Sequence, residues 1–257
     1  MRLLSVTTAL VCLALLSGAN AEEKLSMSDA DKAMYTEMLE NNPAAMEVAE
    51  GEELFTSLIG QAAYAKMLGV KEKDLPKTIA NFPRFVKSAG KVVTLSQTLQ
   101  MAMADVGKPV LKLESKEVVK MTAYVKSLAN GQKTSIDVKA NPHMKEMMTL
   151  GQSVFEERRG GRGLSCNSCH SSDVIGQRLR MQPLPDLGAK ETAAAGTWPA
   201  YRMTQSQMVT LDKRMQQCMK NALLAEIPLG SKEMVALEVY VTNKTKGNEI
   251  QIPGLKR

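Results

Sequence analysis

Cys166-Asn167-Ser168-Cys169-His170 is the segment whose residue types and spacing have a direct chemical use. Two thiols separated by two residues reach the two vinyl groups of a haem and close thioether bonds. The adjacent imidazole is then placed under the iron as an axial ligand. The segment predicts one covalent haem c, held by Cys166, Cys169 and His170. Other uses of such a pair fit less well. A structural zinc site needs four protein ligands, normally with a second cysteine pair, and Cys166, Cys169, Cys218 and a histidine have the wrong spacing. A redox dithiol needs a βαβ setting that the chain does not offer. A plain disulfide leaves the following histidine without a use. Gly160-Gly161-Arg162-Gly163, just ahead, reads as a flexible approach to the haem.

The opposite side of the iron needs its own ligand. In an electron-transfer cytochrome c it is usually methionine. Met181, Met203, Met208, Met215 and Met219 are candidates, and His143 is the other imidazole. The chain has 18 methionines, so most of them are core filler. Cys218 is a different kind of candidate. Leu211, Met215, Cys218, Met219 and Ala222 fall on one face of a helix, and Arg214 lies one turn before Cys218. Lys213 and Lys220 add positive charge. Cations favour thiolate, the form that ligates iron or attacks sulfur. Spacing alone leaves a second reading of equal standing, in which Cys218 is an inert buried hydrophobe.

These residues must be positioned by the rest of the chain. Residues 1–21 read as a secretory signal peptide: Arg2, an apolar stretch from Leu3 to Leu16, then Ala19-Asn20-Ala21 as a cleavage site. That stretch is too short to span a bilayer, and no later window stays apolar for about 20 residues. The mature chain is therefore expected to be exported, without membrane insertion. The net charge of +6 favours anionic partners. Aromatics make up 4% of the chain and no basic run interleaves with them, so nucleic acid is not an expected partner.

Strand signals are weak. Helices are predicted over 28–39, 44–58, 94–106, 115–127, 142–157, 211–225 and 231–243, several with capping residues (Thr94 with Gln97, Ser115, Ser231). An internal repeat organises them. At a shift of 116 residues, Phe82-Pro83 falls on Trp198-Pro199, Val93-Thr94-Leu95 on Val209-Thr210-Leu211, and Ser115-Lys116-Glu117 on Ser231-Lys232-Glu233. Upstream, Gly51 to Phe55 resembles Gly151 to Phe155 at a shift of 100. The expected architecture is mainly α, with two copies of one small helical domain at 22–140 and 141–257. Only the second carries the cysteines. Ala102 stands where the second copy has Cys218, and Thr98 where it has Arg214.

Taken together, Glu156-Glu157-Arg158-Arg159-Gly160, Leu164-Ser165-Cys166-Asn167-Ser168-Cys169-His170, Gly176-Gln177-Arg178-Leu179-Arg180, Trp198-Pro199-Ala200-Tyr201-Arg202 and Thr210 to Cys218 resemble the SoxA family. SoxA is the catalytic subunit of the SoxAX cytochrome complex of bacterial thiosulfate oxidation. The resemblance implies two cytochrome c-like domains in tandem. It also implies mono-haem type, because the first-domain motif is absent and no cysteines stand there to form a disulfide. By the same resemblance, Cys166, Cys169 and His170 hold haem c, Cys218 is the distal ligand and carries a persulfide, and Arg214 binds the anionic substrate. The implied activity is that of a periplasmic L-cysteine S-thiosulfotransferase. It joins thiosulfate oxidatively to a cysteine of SoxY in the SoxYZ carrier, with SoxX as the cytochrome partner that receives electrons. Thiosulfate is a dianion, so Arg214, Lys213, Arg158, Arg159, Arg162, Arg178 and Arg180 could form an anion-attracting mouth. Two alternatives stand beside this reading. One is an ordinary His/Met electron-transfer cytochrome c without sulfurtransferase activity. The other is a haem-based sensor in which Cys218 is a displaceable ligand.

Overall fold

A computed structural model describes Ala33, Glu37, Met38, Glu40 and residues 42–179, 182–189 and 194–256; for residues 178, 179, 182 and 183 it describes the backbone only. The expected signal peptide and the helix expected at 28–39 lie outside the described residues or touch only isolated positions among them. The described residues from Asn42 onward hold together as one compact unit.

Four of the helices start at a capping side chain. Helix α1 spans Ala44–Leu58, followed by the short helices α2 (Gln61–Leu68) and α3 (Leu75–Ile79). Strands β1 (Arg84–Val86) and β2 (Lys91–Val93) form a hairpin. Helix α4 (Leu95–Asp105) opens with a capping box: the Gln97 amide N–H donates to Thr94 Oγ1, and the Thr94 N–H donates to Gln97 Oε1. Helix α5 (Lys116–Ser127) is capped by Ser115, and α6 (Pro142–Glu156) by Asn141 with Pro142 in its first turn. The short helix α7 (Asn167–His170) leads to a two-residue ladder, β3 (Arg178–Leu179) with β4 (Gln182–Pro183). A second hairpin follows, β5 (Ala200–Arg202) with β6 (Gln207–Val209), then α8 (Leu211–Ala222) and α9 (Lys232–Lys244), the latter capped by Ser231. Strand β7 (Gly254–Lys256) pairs in parallel with β5.

The first helix, the hairpin and the last two helices recur in both copies; the elements between the first helix and the hairpin differ. Both hairpins are entered through cis X–Pro bonds, Phe82–Pro83 and Trp198–Pro199. Their registers match at the 116-residue shift, Arg84 opposite Val93 and Ala200 opposite Val209. Each copy also crosses its first and last helices at a glycine. A Cβ on Gly51 would stand 2.2 Å from the Lys120 carbonyl oxygen, and one on Gly151 would stand 2.0 Å from that of Ala236. Such contact allows backbone to touch backbone, and no larger residue fits. Helix α8 ends three residues earlier than expected. Leu223 takes a left-handed conformation (φ 58°), and the Leu224 N–H closes on the Met219 carbonyl, stopping the helix. The three-residue strands escape the pattern reading because they are too short to show an alternation.

The two halves fill their interiors differently. The first is a solid apolar core around Phe55, Tyr64, Phe82, Leu99, Met103 and Met121. Ile250 and Ile252, from the end of the chain, belong to that core. They are held there by Asn130, which donates to the Ile252 carbonyl and accepts its N–H. The second half packs Val154, Phe155, Met219, Met234, Leu237 and Val241 around the partly buried Cys166 and Met215. His143 stacks on Phe85, with ring centroids 4.7 Å apart, where the halves meet.

A cavity of about 30 Å³ lies where repeat-related residues face each other: Leu95 and Leu211, Ser96 and Asp212, Thr122 and Glu238, Lys126 and Thr242. It is the size of roughly one water molecule. Burial pushes the Lys126 amine down to about 8, with the charge of Glu238 opposing. Burial pushes the Glu238 carboxyl up to about 8, and the neighbouring Asp212 carboxylate pushes it the same way while Lys126 opposes. Asp212 is itself raised by burial, against its bonds from Thr210 and the Lys213 N–H. A carboxyl raised in the folded state stabilises fully below its ordinary value and loses that contribution as pH climbs to the folded one. An amine lowered in the folded state costs stability below its folded value. The cost shrinks as pH rises from about 8 to its ordinary value of 10.5. Folding stability is therefore expected to fall from pH 5 to pH 8, by roughly 1 kcal/mol per pH unit for each carboxyl that stays protonated in the folded state. Urea titrations of wild type and Glu238→Gln at pH 5, 6.5 and 8 check this. The variant should lose most of the decline, and an unchanged slope would assign it to other groups.

Candidate functional site

The haem-type segment sits in a tightly built loop. Helix α6 ends at Glu156, and the Arg159 N–H donates to the Leu164 carbonyl, closing the turn that carries Gly160 and Gly163. Gly160 is not a flexible approach to the haem segment. At φ +74°, its Cβ position is 2.4 Å from the Leu223 carbonyl oxygen and 2.7 Å from the Ala225 nitrogen. It seats the loop against the end of α8, in space no side chain could share.

Ser165 and Ser168 then bond reciprocally, each side-chain oxygen accepting the other's backbone N–H at 3.0–3.2 Å. Inside that frame the N–H groups of Cys169 and His170 both donate to the Cys166 carbonyl at 3.1 Å. The single turn places the two thiols at i and i+3, on one side. His170 Nδ1 bonds the Pro185 carbonyl at 3.0 Å, which puts the proton on Nδ1 and leaves Nε2 as the ligand atom. Burial pulls the imidazole down. The Pro185 carbonyl opposes this, while the charges of Arg214 and Lys244 add to it. The ring is thus held neutral, the form that binds a metal. Phe155 stands 6.5 Å from it, and the Lys244 ammonium lies over the rings of Phe155 and Tyr240 at 5.3 and 5.0 Å.

Helix α8 carries the second group of residues. Asp212 Oδ1 accepts the Thr210 hydroxyl and the Lys213 N–H, fixing the first turn. Gln216 donates to the Ile227 carbonyl, and the Gln217 and Gln205 amides exchange bonds at 3.0 and 3.3 Å. Leu211, Met215 and Met219 face the second-half core, with Cys166 in the same cluster. The Cys218 thiol is electrostatically coupled to Cys169 and to Arg214 and Arg202. Cys166 in turn feels Cys218, Arg159 and Cys169. The three cysteines among the described residues, Cys166, Cys169 and Cys218, are free thiols. Cys166, Cys169, His170, Cys218 and Arg214 thus share one electrostatic neighbourhood.

The thiolate expectation for Cys218 needs correction. Arg214 and Arg202 do pull the thiol down, but burial is the largest influence and its net direction is up. Burial also pushes Cys166 up to about 11. Among the cations expected near Cys218, neither Lys213 nor Lys220 contributes; Arg202 takes their place. Arg158 and Arg162 are exposed, and Arg159 reaches only toward Cys166 while paired with Glu157. The side chains of Arg178, Arg180 and Met181 lie outside the described residues. Met208 packs in the first-half core, so Met215 and Met219 are the expected methionines that share the Cys166 cluster.

Arg202 was missed as a site residue, although the repeat carries its signal. At the 116-residue shift its counterpart is Val86, a buried core residue, just as Thr98 and Ala102 match Arg214 and Cys218. In the first half the corresponding space is closed. Tyr64 is fully buried with its hydroxyl 2.6 Å from Thr98 Oγ1. Lys66, Gly69 and Val70 stand at the 100-residue equivalents of Cys166, Cys169 and His170.

The residues of the second half fit a haem c. They offer two thiols on one side of a turn and an imidazole with its outer nitrogen tied. They also offer two buried guanidinium N–H groups without a partner, Arg159 Nε and Arg202 Nε, of the kind that would meet propionate carboxylates.

The family described as "SoxA/TsdA, cytochrome c domain" matches residues 50–134, the half without cysteines. The "L-cysteine S-thiosulfotransferase subunit SoxA" of Hydrogenophilus thermoluteolus is 34% identical over 86% of this chain and 85% of its own length. A protein of the same name from Hydrogenobacter thermophilus is 30% identical, over 84% and 82%. The crystal structure of SoxXA from P. pantotrophus superposes with a TM-score of 0.72 at 20% identity, covering 84% of this chain and 79% of that one, and so shares the fold. Haem-type cysteines beside an arginine-flanked thiol, on a scaffold shared nearly end to end with these relatives, show that the chain belongs to the SoxA family.

Proposed function

We propose that this chain is the thiosulfate-transferring subunit of a SoxAX-type complex, with one haem c on Cys166, Cys169 and His170. The observation that carries this reading is the convergence of Cys218 and Arg214 on the Cys-x-x-Cys-His turn. An ordinary cytochrome has no use for a buried thiol flanked by guanidinium groups. A bound haem supplies one-electron redox chemistry. In this reading Cys218 would be a further protein ligand to the iron and would carry a persulfide sulfur, while Arg214 would neutralise and orient the thiosulfate dianion. The overall reaction joins the outer sulfur of thiosulfate to a carrier cysteine thiolate, and two electrons leave for a cytochrome c. The carrier is the SoxY cysteine of SoxYZ, the cytochrome partner is SoxX, and the compartment is the periplasm after removal of residues 1–21. Residues 22–140 serve as a haem-less cytochrome c-like domain and 141–257 as the haem-bearing one. Met215 and Met219, packed near Cys166, sustain the rival reading of a His/Met electron carrier.

Intact-mass and optical measurements on the full chain purified with its partner test the proposal. One haem per chain is expected, with an added sulfur mass on the Cys218 peptide and no methionine–iron charge-transfer band in the oxidised protein. Such a band persisting in Cys218→Ser would overturn the ligand assignment and favour the electron carrier.

A further inference from the structure

Arg202 is 8% exposed, and its Nε is buried without a hydrogen-bond partner among the described residues. Among the described residues its guanidinium makes a long bond, 3.4 Å, from Nη2 to Thr204 Oγ1. None of the ion pairs among the described residues includes Arg202 or Arg214. A buried guanidinium without a counter-charge is unfavourable unless an anion meets it.

Its position is set by local structure. Strand β5 ends at Arg202, and the turn Met203–Gln205 is pinned to α8 by the Gln205–Gln217 amide pair, next to Cys218. On β7, Lys256 occupies the position paired with Arg202. The charges acting on the Arg202 guanidinium are those of Arg214 and Cys218, which places the two arginines and the thiol in one electrostatic neighbourhood. The first copy has Val86 and Thr98 at the two arginine positions, beside Ala102. Both guanidinium groups therefore occur in the half with the thiol, and neither in the half without it.

We infer that Arg202 is the second guanidinium of an oxyanion site beside Cys218, acting with Arg214. This rests on the proposed function and names a binding residue for it. The oxyanion has two sources with the same chemistry: the sulfonate end of thiosulfate, or a propionate of the haem. Arginine's planar fork suits either one with paired N–H donors.

The test uses the haem-loaded complex with Arg202→Gln and Arg202→Lys, reading thiosulfate KM and kcat together with the haem midpoint potential. Haem content and melting temperature serve as folding controls. If thiosulfate is the ligand, Arg202→Gln raises KM at least tenfold with kcat within threefold, and the potential is unchanged. If propionate is the ligand, the potential and its pH dependence shift while KM holds. Arg202→Lys keeps the charge and loses the fork, so it should give an intermediate effect. Arg202→Lys also decides the matter should Arg202→Gln fail to fold. A folded variant with both KM and potential unchanged overturns the inference. Equilibrium dialysis of thiosulfate against haem-loaded Cys218→Ala, with and without Arg202→Gln, separates it from the proposed activity. Lost conjugation in wild type would refute the activity, whereas equal binding in the two dialysed proteins would refute an Arg202 thiosulfate site.

Discussion

Cys218→Ala is expected to lower thiosulfate transfer by about a thousandfold or more while haem remains attached. The two other thiols of the site belong to the Cys-x-x-Cys pair, so once they hold haem no second thiol of the site is left to replace Cys218. The substitution has a precedent within the molecule. Ala102 is the repeat counterpart of Cys218, and it sits 1% exposed on the equivalent helix of a well-packed core. Loss of activity would therefore report lost chemistry and not lost folding. The measurement is mass spectrometry of the carrier protein after incubation with thiosulfate and an electron acceptor, beside a haem stain of the variant chain. Cys218→Ser should behave like the alanine variant, because a hydroxyl neither holds a persulfide nor ligates ferric haem as a thiolate does. Carrier modification persisting at the wild-type rate would remove Cys218 from the reaction and return it to the role of a small buried hydrophobe.

What could be read in advance depended on how local the determinant was. The Cys166–Cys169–His170 turn was legible because covalent chemistry demands those residues at that spacing. Thr94, Ser115 and Ser231 marked true helix starts, because a cap hydrogen bond involves only the next three residues. The repeat was legible because its helix–hairpin order survives without a gap between 82 and 125. Determinants that act across the fold were less visible. Gly160 read as slack until the end of α8 was found against it. The direction of the Cys218 thiol depended on burial, which outweighs the neighbouring arginines. Arg202 was hidden by distance along the chain, although its pairing with Val86 held the clue.

The two crossing glycines yield the second large effect. At Gly151 an added Cβ meets the Ala236 carbonyl oxygen at 2.0 Å and Tyr240 Cβ at 2.9 Å. Neither the carbonyl nor a Cβ is the far end of a flexible side chain, so α6 and α9 must separate. Gly151→Ala is expected to cost about 3 kcal/mol or more, lowering the melting temperature by roughly 6–12 °C for a chain of this size. Gly51→Ala faces the Lys120 carbonyl at 2.2 Å and should cost a similar amount. Their consequences for the site should differ. Helix α6 carries Phe155, which faces His170, and α9 carries Tyr240 and Lys244, which pack on Phe155, so Gly151→Ala should also perturb the haem spectrum or lower haem loading. Helices α1 and α5 enclose the closed core of Tyr64 and Thr98, so Gly51→Ala should destabilise without a spectral change. Calorimetry and absorbance of the two variants separate these outcomes. Equal spectral change in both would mean that the halves respond as one body, and a loss below about 1 kcal/mol at Gly151 would show that the crossing yields more easily than backbone contact allows.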